Sequence, residues 1–191
     1  MKRIFVFFYI IIILIILSSC SGAKSISSSS ATKTDESSVV SQNFLQILYT
    51  VDTKTAEDFE YTKNIPNDIT SEKRMQIIND TFANINKRFL PYTTSSCFND
   101  LINNRTYFRY LEYAITNKCT LKYQNITLTL SQTQSDYTDY QYKAEILVIY
   151  NDGSQNQLEK EEGIIATAKE NGNWKVNFIK STSLSKFSEL N

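Results

Sequence analysis

The chain contains no histidine, and that absence removes much familiar chemistry. There is no imidazole base for a nucleophilic triad, no histidine ligand for zinc and no ordinary switch of charge near neutral pH. Glycine is scarce, at 4 residues in 191, and none of the four builds a Gly-rich phosphate loop. The 3 cysteines form no Cys-x-x-Cys pair. Charge of one sign is not in excess either: 20 basic side chains stand against 20 acidic ones, which argues against nucleic acid as a partner. No metal-ligand cluster or cofactor motif is present, and no cofactor is expected.

What is present begins with an address. Lys2 and Arg3 precede an unbroken apolar run from Ile4 to Leu17, followed by Ser18-Ser19-Cys20. This is the layout of a secretory signal: charged start, apolar centre, small residues at the end. The run falls short of the roughly 20 residues a spanning helix needs. Leu17-Ser18-Ser19-Cys20 resembles the bacterial lipobox, and the resemblance implies that residues 1–19 are removed and that Cys20 is acylated. Lipid on Cys20 would hold the protein on the extracytoplasmic face of a cell membrane, or on an outer membrane if the envelope has two. From Cys20 to Ser38 the chain is rich in serine and poor in apolar residues, the composition of a flexible tether with a root-mean-square reach of about 20–25 Å.

Residues 39–191 have no internal repeat and no second linker, which fits one domain. Val40, Phe44, Ile47, Leu48 and Val51 recur at helical spacing after Ser37-Ser38, which supplies an N-cap oxygen. Asp52 to Asn67 is polar and reads as a loop that docks through Phe59 and Tyr61. Met75, Ile78, Phe82, Ile85 and Phe89 mark one face of a helix that starts near Thr70 and stops before Pro91. Phe98, Leu101 and Ile102 suggest a helical turn. Phe108, Leu111 and Ile115 suggest a further helix, its apolar face broadened by Tyr107, Tyr110 and Tyr113.

The period then changes from 3.6 to two. Ile126, Leu128 and Leu130 alternate with threonines. Tyr140 to Tyr150 reads as a central strand, and Glu161 to Glu170 and Asn173 to Ser181 as a hairpin turning on Asn171-Gly172. A two-residue turn there sets Lys169 opposite Trp174, Thr167 opposite Val176 and Ile165 opposite Phe178. The reading is an α+β fold, helices first and then a curved antiparallel sheet of about four strands.

That order, with Gly172-Asn173-Trp174-Lys175-Val176 following Ile164-Ile165-Ala166-Thr167-Ala168, resembles the NTF2-like, or cystatin-like, lipoproteins of bacteria. The resemblance implies a sheet wrapped round the helices as a cone. Enzymes of that superfamily place an aspartate or histidine beside a tyrosine inside the cone. Here Asp136 and Asp139 fall in an apparent loop, and Glu145, alone among acids in the central strand, is better explained by a lysine neighbour than as a base. Glu159-Lys160-Glu161-Glu162 reads as a solvated hairpin shoulder. No catalytic residue is assigned.

Two functions fit: an accessory lipoprotein that binds an envelope protein, and a binder of a small apolar or lipid-like ligand within the cone. The first would use the less apolar hairpin face, Lys175, Asn177 and Ile179. The second would use a pocket lined by Tyr107, Phe108, Tyr140 or Tyr142. Cys97 and Cys119, the cysteines left after Cys20, are either bridged across an oxidising compartment or buried as thiols.

Overall fold

The computed structural model describes residues 35–183 and 186–188, so the signal, Cys20 and most of the tether lie outside the described residues. Among the described residues five helices come first: α1 (Glu36–Leu48), α2 (Thr53–Lys63), α3 (Ser71–Phe89), α4 (Ser95–Asn103) and α5 (Thr106–Thr116). Four strands follow, β1 (Cys119–Thr133), β2 (Tyr137–Tyr150), β3 (Gln157–Glu170) and β4 (Asn173–Ser181), with a short 3₁₀ turn at Lys186–Ser188. The sheet is antiparallel throughout, in the order β1-β2-β3-β4, which is the expected α+β layout.

Helix starts obey simple capping chemistry. Asp35, Asp52, Thr70 and Thr94 each accept a hydrogen bond from a first-turn amide of the helix that follows. Asp35 therefore replaces Ser37-Ser38 as the cap of α1, and residues 36–38 belong to that helix rather than to the tether. Ser37 is fully buried, its hydroxyl paired with that of Tyr140 on β2, and Tyr140 also donates to Asp35. The point where the tether ends is thus pinned to the sheet. Burial pushes the Asp35 carboxyl up, but hydrogen bonds from Tyr140 and Ser37 outweigh it and hold the group below the ordinary aspartate value.

The polar stretch read as a loop is largely helix α2. With only Ala56 and Phe59 buried, its apolar signal is too thin to show a period. Local chemistry forms it instead, through the Asp52 cap and a Lys54–Asp58 pair one turn apart at 2.7 Å. Phe59 does dock as expected, stacked on Phe108 with ring centroids 5.3 Å apart, while Tyr61 is exposed. Helix α3 follows its predicted stripe, but only Ile85 and Phe89 are buried and Met75 stands in solvent.

Strands β1, β2 and β3 run further than alternation suggested, so Asp139 lies in β2 opposite Ala166 rather than in a loop. Two register shifts in β1, at Tyr123/Asn125 and Leu130/Gln132, and one between β3 and β4 bend the sheet. The hairpin turn is as read: Asn171 and Gly172 both take positive φ, 53° and 81°. Beyond Thr167–Val176, however, Asn177 is an extra residue, so Ala166 faces Phe178 and Ile165 faces Ile179. The segment after α3 contributes a single parallel bridge, Thr93 to Val176.

The core is aromatic. Tyr49, Tyr107, Tyr110, Tyr142, Phe44, Phe89 and Phe187 are among its largest fully buried side chains. Even-numbered residues of β2 from Tyr140 to Val148 supply the floor. Gly163 on β3 is what lets Tyr142 lie close against its neighbour, because a Cβ there would meet the Lys180 carbonyl oxygen at 2.2 Å and the Tyr142 ring at 2.7 Å. Gly153, at φ +80°, has open space around its Cβ position. Urea unfolding of the two alanine variants is expected to separate these cases: Gly163→Ala should cost about 3 kcal/mol through overpacking, and Gly153→Ala about 1 kcal/mol through backbone strain. Equal losses would contradict the close-approach argument.

Candidate functional site

Tyrosine in a core needs a partner for each hydroxyl, and here the partners form a connected group. Tyr110 of α5 donates to both carboxylate oxygens of Glu161 on β3, at 2.9 and 3.0 Å. Tyr49 donates to the Tyr142 hydroxyl at 2.9 Å, and the rings of Tyr49 and Tyr110 meet edge to face at 5.3 Å. Tyr107 points away from this group and accepts from Arg88 at 2.8 Å. That arginine also donates to the Thr50 carbonyl at 3.0 Å, tying the end of α1 to α3.

Glu161 is the central finding. It is buried at 1% exposure, not solvated as its run of charged neighbours suggested. Glu159-Lys160-Glu161-Glu162 is a strand segment, and in a strand only one parity faces water. Glu161 shares its parity with Gly163 and Ile165, both buried. Burial raises its pKa above the ordinary glutamate value, opposed by hydrogen bonds from Ser181 and Tyr110 and by the charge of Arg109. The pKa values of Tyr110 and Tyr142 are raised by burial and then by the nearby Glu161 charge. The other acid considered, Glu145, is half-exposed and 3.6 Å from Lys160, the expected lysine neighbour.

A cleft of about 250 Å³ opens beside this group, lined by residues that include Asn104, Thr106, Arg109, Tyr110, Tyr142 and Lys180. Tyr142 is the member of the expected pocket that reaches it. Tyr107, Phe108 and Tyr140 are buried at 0%, 6% and 3% exposure and spend their surfaces on core packing, so the four do not line one pocket. Lys175, Asn177 and Ile179 do not share a face either. The extra residue at Asn177 changes the parity of β4, so Ile179 packs on the core while Lys175 pairs with Glu170 at 3.0 Å. Asn177 lies near Thr94, whose hydroxyl donates to it at 3.4 Å. The same parity change leaves Phe178 46% exposed.

Cys97 and Cys119 are both free and buried, with no bridge between them. Cys97 sits in α4 among Leu101, Phe178 and Ile179, while Cys119 opens β1 opposite Tyr150. Burial pushes their thiols up to about 12 and about 11. Among the described residues no acidic or cysteine group is arranged to hold a metal, and no helix is long and apolar enough to cross a membrane.

No family model and no curated protein matches the chain. Among solved structures, an IcmL-like type IV secretion system protein from Legionella pneumophila is similar at 11% identity, with a TM-score of 0.48, over 75% of this chain and 88% of that one. Likeness at that level assigns no role to any residue.

Two outcomes follow from the buried groups. The processed chain with Cys20→Ser is expected to show two free thiols when denatured without reductant, and almost none toward an alkylating reagent while folded near pH 8; a blocked pair would contradict the thiol assignment. For Glu161, the folded form binds the proton more tightly than the unfolded form, because the folded pKa is the higher. Its contribution to stability is therefore fully present below the unfolded pKa and is lost as pH rises through the folded one. Glu161→Gln should flatten the fall in stability over that window, measured by urea unfolding at a series of pH values. An unchanged slope would show that Glu161 does not titrate differently on folding.

Proposed function

We propose that this chain is a lipid-anchored, non-catalytic envelope protein whose domain binds a protein partner. The observation that carries the reading is the filled interior: the rings of Tyr49, Tyr107, Tyr110, Tyr142, Phe44 and Phe89 occupy the space that an apolar ligand would need. Their hydroxyls are spent on one another, on Arg88 and on Glu161, so they are not offered to a guest. The lipobox-like Leu17-Ser18-Ser19-Cys20 supports the anchor. The hydrogen bonds that join Asp35 and Ser37 to Tyr140 fix the start of α1 to the sheet, so the described residues form one folded body from their first residue on.

The surface for docking differs from the one the regular hairpin register implied. Phe178, turned outward by the register shift, and Ile164, 38% exposed, offer apolar area on the β3–β4 hairpin.

The test has two arms. In intact cells the protein is expected in the membrane fraction with a lipid label, and Cys20→Ser should abolish the label and leave precursor uncleaved; a labelled, processed Cys20→Ser protein would contradict the anchor. A photo-crosslinker at position 178 should capture a protein in cells, and Ile164→Glu should reduce that capture at least fivefold. Absence of any captured protein, together with a small molecule co-purifying with the domain, would replace partner binding with ligand binding.

A further inference from the structure

The cleft beside the tyrosine group has a chemistry that the partner reading does not use. Arg109, on the first turn of α5, has a buried Nε without a hydrogen-bond partner. Its guanidinium lies over the Tyr110 ring, with Cζ 5.8 Å from the centroid, and enters none of the ion pairs among the described residues. A buried donor of this kind is normally satisfied, and its exceptions call for a specific explanation such as a bound ion. Lys180 of β4 lines the rim of the same cleft and enters none of the ion pairs among the described residues. Asn104 and Thr106 line the cleft, and no hydrogen bond among the described residues engages the side chain of either.

The backbone adds to the same sign. Helix α5 starts after Arg105, which takes a left-handed φ of 54° and supplies no side-chain cap. The other four helices all have one. No side chain therefore caps the first amides of α5, at the positive end of the helix dipole. Glu161 sits behind Tyr110, which donates to its carboxylate, and Asp100 lines the adjoining cleft.

We infer that this cleft binds a phosphate-type anion, free or as the headgroup of a membrane lipid. The Arg109 guanidinium, the Thr106 hydroxyl and the Asn104 amide line the cleft from α5 and the turn before it, with Lys180 of β4 at its rim, a donor set that suits a tetrahedral oxyanion. The volume, about 250 Å³, admits a phosphate group with its first waters or ester substituent. The inference is independent of partner binding and uses other residues.

The test uses the processed chain from residue 20 with Cys20→Ser, so that no acyl chain contributes, labelled with ¹⁵N. Inorganic phosphate is expected to move the Arg109 Nε–H and the Thr106 and Tyr107 amide resonances saturably, and Arg109→Gln to weaken the effect at least tenfold. Lys180→Gln, at the cleft edge, keeps the test decisive if Arg109→Gln does not fold, while Lys87→Gln on exposed α3 reports general charge effects. In the second arm, binding to phosphatidylglycerol vesicles that exceeds binding to phosphatidylcholine, and falls with Arg109→Gln or Lys180→Gln but not Lys87→Gln, identifies a lipid headgroup as the source. Saturable shifts with inorganic phosphate alone identify a free anion. No response in either arm, or equal responses in the cleft variants and the unsubstituted chain, overturns the inference.

Discussion

The hydrogen bonds from Tyr110 to Glu161 are the constraint on which the rest of the molecule depends. They cross from α5 to β3 inside a largely aromatic core. A carboxylate at that depth is tolerable only with partners, and two oxygens accepting from one hydroxyl fix where the helix sits along the strand. Gly163, two residues on, lets Tyr142 approach, and Tyr142 in turn accepts from Tyr49 at the end of α1. One strand parity, Glu161-Gly163-Ile165, thereby sets the positions of two helices.

This arrangement explains why the interior is closed. Rings placed by hydroxyl bonding cannot withdraw to open a cavity without leaving a buried polar group unpaired, at a cost of about 1–3 kcal/mol each. The same geometry leaves open space at the edge, where α5 begins and the buried Nε of Arg109 has no hydrogen-bond partner. The domain is thus aromatic inside and polar where the cleft opens.

Much of this is legible in residues, and the failures have identifiable physical causes. Helices α3 and α5 and the Asn171-Gly172 turn announce themselves because periodicity and turn chemistry there agree. Helix α2 does not, since a cap and an ion pair leave no periodic trace. The extra residue at Asn177 is invisible because either register satisfies the alternation of β4, yet it turns Ile179 inward and Phe178 outward and so dissolves the expected docking face. Glu161 was hidden by its neighbours: three charged residues beside it mask a parity that places it with Gly163 and Ile165. Counting every second residue from Ile165 backward was the signal available. Arg109 carried no signal, because a lack of partners is a property of three dimensions.

The direct measure of the central constraint is a double-mutant cycle on Tyr110→Phe and Glu161→Gln, with unfolding free energies determined in urea near neutral pH. If the two side chains hold α5 to β3 as described, the coupling between them is expected to be about 1.5–3 kcal/mol, the range for a hydrogen bond to a charged group. Losses that add within about 0.5 kcal/mol would contradict the account.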